Sequence, residues 1–272
     1  MKIGFIGCGN MGMAMAKGIL GSGIAGAQEM IASAKSEATM EKIKNELQIW
    51  VAASNREVVE FADLVFLAVK PQYYAQVIAE IKDAANMDLD HDKKSAQIFV
   101  SIAPGKKLAW FEQQFGAPIK LVRTMPNTPA MVGEGMTAYC ANSRVSEEEK
   151  EQTARILGSF GRAEEVSEPL MDVVTSVSGS SPAYVFVLIE AMADAAVADG
   201  MPRAQAYTFA SQAVLGSAKM VLQTGLHPGV LKDMVCSPGG TTIEAVRVLE
   251  EKGMRSSVIE AMKACVKKAE QM

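Results

Sequence analysis

The sequence predicts an α/β fold, a Rossmann-like doubly wound sheet followed by an all-α C-terminal domain, and three observations predict it. Short β-rich runs alternate with helical stretches through residues 1–166, the order that builds a parallel sheet with crossover helices. Residues 63–69 and 97–102 are almost continuously apolar, as strands buried on both faces must be. From about Glu168 the strand signals vanish, and Ala, Met, Val and Leu recur at helical spacing to residue 272.

Taken in order, the candidate strands are residues 2–6, 29–33, 48–52, 63–69, 97–102, 119–124, 136–141 and 162–166. Helical segments such as residues 71–85 lie between them. Ser146 with Glu149 three residues on reads as a capping box opening a helix that runs to about Phe160. In the helical half, residues 168–200 contain no Lys or Arg, and residues 183–198 are apolar nearly all round. A helix of that kind is buried. One domain of about a hundred residues has little interior for it, so packing against a second subunit is expected. The domains expected are residues 1–166 for dinucleotide binding and 167–272 for substrate binding and dimerisation.

Composition sets the outer limits. With 27 Lys+Arg against 31 Asp+Glu the net charge is −4, which argues against a nucleic-acid partner. An apolar share of 49% builds real cores and excludes disorder. The longest wholly apolar run in the second half, residues 183–189, is far short of the roughly 20 residues of a membrane span; no membrane helix is expected. The N-terminal apolar stretch breaks at once into glycine, unlike a signal peptide, so a cytoplasmic protein is expected. Cys8, Cys140, Cys236 and Cys265 lie far apart without a C-x-x-C pair, which suggests reduced thiols and no metal site. Of the two histidines, His91 sits in the charged stretch 88–94 and His227 precedes Pro228 at a helix start. Neither reads as a ligand or a general base.

The first strand ends at Ile6 and is followed by Gly7-Cys8-Gly9-Asn10-Met11-Gly12. In such a turn the first glycine permits the tight bend, the second lets the backbone approach a pyrophosphate, and the third allows close helix packing. The free amides of the following helix then face the phosphates. An NAD-selective site places an acid at the end of the second strand. Here that end reads Ser33-Ala34-Lys35-Ser36, a cation and hydroxyls suited to a 2′-phosphate. NADPH is therefore the expected cofactor, with NADH use left open by Glu37. Ala68-Val69-Lys70-Pro71 closes the long apolar strand at the edge of the sheet where ligands of such folds bind.

Three further segments could border a ligand. Ser237-Pro238-Gly239-Gly240-Thr241-Thr242-Ile243-Glu244 reads as two glycines before a helix capped by Thr241 and Glu244, with amides open to a small carboxylate. The cluster from Ser176 to Ala183, with Ser178 and Gly179, offers hydroxyls that border a substrate or cap the next helix. Arg123-Thr124-Met125-Pro126-Asn127-Thr128-Pro129 follows the sixth strand, with two prolines fixing the loop around Asn127.

Together these segments closely resemble the Δ1-pyrroline-5-carboxylate reductase family, end to end and in family order. The resemblance is carried by residues 3–12, Ala68–Pro71, Met125–Pro129, Ser178–Ser180 with Pro182–Tyr184, Leu231–Asp233 and, most specifically, Ser237–Ile243. It implies a homodimer, sometimes a pentamer of dimers, whose interwoven C-terminal helices complete the site. It further implies nucleotide contacts from the Gly7–Gly12 turn, the loop of Ser33, Lys35 and Ser36, Asn55, the Ala68–Pro71 turn, and Ile102 and Ala103. Its substrate contacts fall on Gly240, Thr241 and Thr242, with Thr242 beside the ring nitrogen. Ser181 departs from the glycine usual in the family. A protonated cyclic imine is already a strong hydride acceptor, so the chemistry asks mainly for positioning. That fits a chain poor in histidine.

Two rivals remain. A β-hydroxyacid dehydrogenase resembles this layout but carries a catalytic lysine four residues after a glycine, where this chain has Ala183. A non-catalytic NADP-binding redox sensor would keep Gly7–Gly12 and have no need of Ser237–Thr242.

Overall fold

The structure is a computed structural model, and it describes residues 1–85 and 96–271. His91 and the whole charged stretch 88–94 lie outside the described residues. The chain divides into two compact units. One holds residues 1–179 together with the residues from Val266 on; the other spans Ser180–Cys265.

The first unit is built on one sheet of β1 (Ile3–Ile6), β2 (Met30–Ser33), β3 (Trp50–Val51), β4 (Leu64–Leu67), β5 (Ile98–Ser101), β6 (Lys120–Met125), β7 (Gly135–Ala141) and β8 (Gly161–Glu165). Each falls within a residue or two of a segment expected from sequence. The order is 3-2-1-4-5-6-7-8, so the strand order reverses between β1 and β4, the switch point at which doubly wound sheets bind ligands. Two strands depart from the parallel expectation: β7 runs antiparallel to β6, and β8 pairs parallel with β7. The link between β6 and β7 holds a single 3-10 turn, Thr128–Val132. A parallel return would need a crossover of about a dozen residues or more.

Helices α1 (Asn10–Ser22), α2 (Glu37–Lys42), α3 (Asn55–Phe61), α4 (Tyr74–Ile81), α5 (Leu108–Phe115) and α6 (Glu147–Leu157) connect the strands, and α7 (Met171–Val174) follows the sheet. Side chains alternate across a strand, so the central strands feed two cores. Phe5, Met15, Phe66, Val100 and Phe160 lie in one; Ile6, Val65, Leu67, Ile78, Phe99 and Phe111 lie in the other. Phe5 and Phe66 stack with ring centres 4.8 Å apart. Ser146 and Glu149 form the expected capping box, each side chain bonding the other's backbone N–H, and the helix continues as a 3-10 turn to Phe160. Such a cap contributes about 1 kcal/mol.

The second unit is helical: α8 (Ser181–Ala198), α9 (Arg203–Thr224), α10 (Pro228–Val235) and α11 (Thr241–Glu251), with α12 (Met254–Ala269) leading out of it. His227 caps α10, its Nδ1 accepting from the Gly229 N–H at 3.0 Å. In the isolated chain only Ala193 of α8 is buried, while Phe186 is 62% and Val187 66% exposed. The apolar surface that the sequence assigned to a buried helix is therefore unpartnered within one copy. By length and composition, residues Glu168–Ala198 also suffice to cross a membrane, with a mean hydropathy of 1.4 in their best window. No such helix is expected from the sequence, because the unbroken apolar runs are short. Glu190 and Asp194 interrupt the run without lowering its average enough.

Candidate active site

The nucleotide turn is assembled at the carboxyl end of β1. Gly7 has φ +82°, a conformation that side chains resist, and its N–H donates to the Ser33 carbonyl at 3.1 Å. A Cβ on Gly7 would lie 2.7 Å from Val69 Cγ1, and one on Gly12 would lie 3.0 Å from the Gly7 carbonyl oxygen. Gly9 is different, because a Cβ there would meet nothing within 4 Å. Two positions are thus glycine because the protein crowds them. The third opens on space that a pyrophosphate can enter, above the N-terminus of α1. Asn10 is exposed and Met11 half-buried, while the Cys8 side chain is buried, and burial pushes its thiol up to about 12.

The neighbouring strand ends bring in the other expected residues. The Ser33 hydroxyl donates to Asn55 Oδ1 at 2.7 Å, and Asn55 Nδ2 donates to Glu80 at 2.7 Å. This fixes the amide at the start of α3. Lys35 is exposed, its ammonium 5.1 Å from the centre of the Tyr73 ring. Ser36 is the N-cap of α2, its hydroxyl accepting from the Thr39 N–H at 3.3 Å. After β4, Ala68 donates to the Ile6 carbonyl at 2.8 Å, and Lys70 stands exposed before the 3-10 turn Pro71–Tyr73. The buried Tyr74 hydroxyl donates to the Leu67 carbonyl and pins this strand end; burial raises its phenol. After β5, the Ile102 N–H donates to the Leu67 carbonyl at 3.4 Å and the Ala103 N–H to the Ser101 hydroxyl at 3.2 Å. Apart from the Ser36 cap, all these residues border the carboxyl ends of β1, β2, β4 and β5.

A second group lies at the end of β6. Arg123 is buried, with its guanidinium 3.3 Å from Glu168 and 3.6 Å from Asp172. Glu168 also accepts the Leu108 N–H at 2.7 Å. This ties the start of the helical run to the sheet. Beyond it, residues Thr175–Gly179 form a π-helical turn. The hydroxyls of Ser176 and Ser178 bond back to the carbonyls of Val173 and Val174, so neither caps α8, whose N-cap Ser180 makes no side-chain capping bond. Ser181, the departure from the family pattern, is the half-buried first residue of α8.

In the helical unit, Ser237-Pro238-Gly239-Gly240 makes a tight turn. The Gly240 N–H donates to the Ser237 carbonyl at 3.0 Å, and Gly239 sits at φ +67°, the residue pattern of a type II turn. The expected capping box is absent. Gly240, not Thr241, is the N-cap of α11, with no side-chain bond. Glu244 is drawn instead to Arg247, at 2.7 and 3.0 Å. A capless first turn leaves the amides of Thr241 and Thr242 without a capping side chain. Thr242 is half-buried.

Comparison with known proteins decides the family. Residues 168–272 match the family model for pyrroline-5-carboxylate reductase dimerisation, and residues 2–105 that for NADP oxidoreductase, coenzyme F420-dependent. The chain is 51% identical over 271 residues to a pyrroline-5-carboxylate reductase of Escherichia coli, covering 100% of this chain and 98% of that protein. The chain belongs to the pyrroline-5-carboxylate reductase family. Two solved structures of pyrroline-5-carboxylate reductases share its fold. That of Coxiella burnetii aligns with a TM-score of 0.90 and 33% identity over 99% of this chain and 97% of the other. That of Plasmodium falciparum, with NADP bound, gives 0.87 and 32% over 100% and 97%. For this reductase family the sequence reading passed over Tyr73, Glu80 and the partners of Arg123. An aromatic two residues after Pro71 and an arginine closing an apolar strand were the available signals.

Proposed function

We propose that this chain reduces the C=N bond of 1-pyrroline-5-carboxylate to give L-proline, the last step of proline biosynthesis, with NADPH as reductant. The end-to-end identity of 51% to a reductase of that name carries the reading. The open space at Gly9 between two crowded glycines accommodates the dinucleotide. When bound, NADPH supplies a hydride. The residues expected to hold it are Ile6 to Gly12, Ser33, Asn55, Ala68 to Pro71, Ile102 and Ala103, with Lys35 and Ser36 toward the 2′-phosphate. Lys35 lends charge there; the Ser36 hydroxyl shares itself with its cap.

For the substrate, Gly240, Thr241 and Thr242 offer backbone amides to the ring carboxylate at the start of α11, where the helix dipole favours an anion. Ser178 and Gly179 border the ring. The Thr242 hydroxyl bonds the ring nitrogen, orients the imine and holds the proton that makes its carbon electrophilic. Residues 1–166 form the dinucleotide-binding part and 167–272 the substrate and dimerisation part. Two copies form a homodimer through the apolar faces of the helical unit, in the cytoplasm.

The test is oxidation of NADPH by the purified protein with pyrroline-5-carboxylate, beside NADH and a 3-hydroxyacid run in reverse. Turnover with the imine alone is expected, with a preference for NADPH that Lys35→Ala reduces. Tight NADPH binding without imine turnover would overturn the reading in favour of a redox sensor.

A further inference from the structure

The loop between β6 and β7 reaches a segment far away in sequence. Asn127 is 8% exposed, and both ends of its amide are engaged. Nδ2 donates to the Ser178 carbonyl at 3.0 Å, and Oδ1 accepts from the Met136 N–H at 2.8 Å. The second bond anchors Asn127 to β7 and so to the sheet. The first grips the π-helical turn Thr175–Gly179 at its penultimate residue. Extra-wide turns of this kind release a backbone carbonyl from the regular ladder and recur at functional sites. Met125, two residues before Asn127, closes on the same turn: a Cβ on Gly179 would lie 2.7 Å from Met125 Cε.

We infer that Asn127 is a positioning residue for the substrate, using its amide as a rigid strut that sets Ser178 and Gly179 at a fixed height above the sheet. Asparagine suits the role because one planar group donates to the turn and accepts from the strand at once. Aspartate has the same size and keeps the acceptor, but it loses the donor and turns a carboxylate oxygen toward a carbonyl. The inference deepens the proposed function, since Ser178 and Gly179 matter to catalysis only if they border the imine.

The experiment measures KM for pyrroline-5-carboxylate and for NADPH in the wild type and in Asn127→Asp, at several pH values. In Asn127→Asp the imine KM is expected to rise about tenfold, a bond to a buried group being worth roughly that factor, while the NADPH KM stays within about twofold. The excess over wild type narrows from about pH 8 to about pH 5.5, because a protonated carboxyl regains an O–H donor for the Ser178 carbonyl. A loss from general misfolding would not recover in that direction. An unchanged imine KM, or equal rises for both substrates, overturns the inference. If Asn127→Asp fails to fold, Gly179→Ala takes its place. Its imine KM should rise and return toward wild type when Met125→Ala removes the opposing methyl; no return overturns the inference. A wild type inactive on the imine counts against the proposed function alone.

Discussion

Thr242→Ala removes a single hydroxyl from the first turn of α11 and leaves the backbone amides in place. If that hydroxyl orients the ring nitrogen, kcat falls about 100-fold, while the NADPH KM, set in the other unit, changes little. Steady-state kinetics with each substrate varied in turn checks this, and unchanged turnover removes Thr242 from the chemistry. The cysteines divide by burial. The thiols of Cys8 and Cys140, pushed up by burial to about 12 and about 11, remain protonated at neutral pH and should label with a thiol reagent only after unfolding. Quantifying labelled thiols with and without denaturant tests this. Burial also sets a pH dependence. Each thiol holds its proton to higher pH in the folded chain than in the unfolded one, so above about pH 9 the unfolded state binds fewer protons. This contribution to stability is complete below pH 9 and lost as pH rises toward 11 and 12, which denaturant midpoints across that window would record.

The glycine turn after β1 predicts a separation of binding from folding. Gly9→Ala adds a methyl that touches nothing in the chain, so the melting temperature should hold while the NADPH KM rises at least about tenfold by obstruction of the phosphate approach. Gly7→Ala, at φ +82° and against Val69, should destabilise the fold by more than about 1 kcal/mol. Thermal melts beside NADPH titrations distinguish the two. The turn was legible in the sequence because its meaning is local: a strand, three glycines at fixed spacing, a helix. The eight strands were legible for the same reason. What escaped depended on competition or on distance. Thr241 reads as a cap, but α11 begins one residue early with Gly240 at the N-cap, and Glu244 pairs with Arg247; the direction of β7 followed from a link too short to cross. Asn127 with Ser178 and Arg123 with Glu168 are 51 and 45 residues apart, and no periodicity announces either pair.

Across the molecule, large apolar side chains stand on the surface of the helical unit, among them Phe186, Phe209, Leu222 and Met234, each more than 60% exposed. An unpartnered surface of this extent marks an interface, and residues 168–272 match a dimerisation model. Phe186→Asp with Phe209→Asp should shift sedimentation from dimer to monomer, with NADPH binding retained and imine turnover lost. The wild-type melting temperature should also fall on dilution, since association contributes to stability by mass action. The division of the chain has a further consequence, one of timing. The sheet unit is interrupted in sequence: it takes residues 1–179, leaves out Ser180–Cys265, and resumes at Val266. Ala269, in the last turn of α12, is buried. During synthesis the glycine turn and all eight strands therefore emerge well before the segment that completes their unit. The sheet waits, nearly finished, for the residues from Val266 on to be translated.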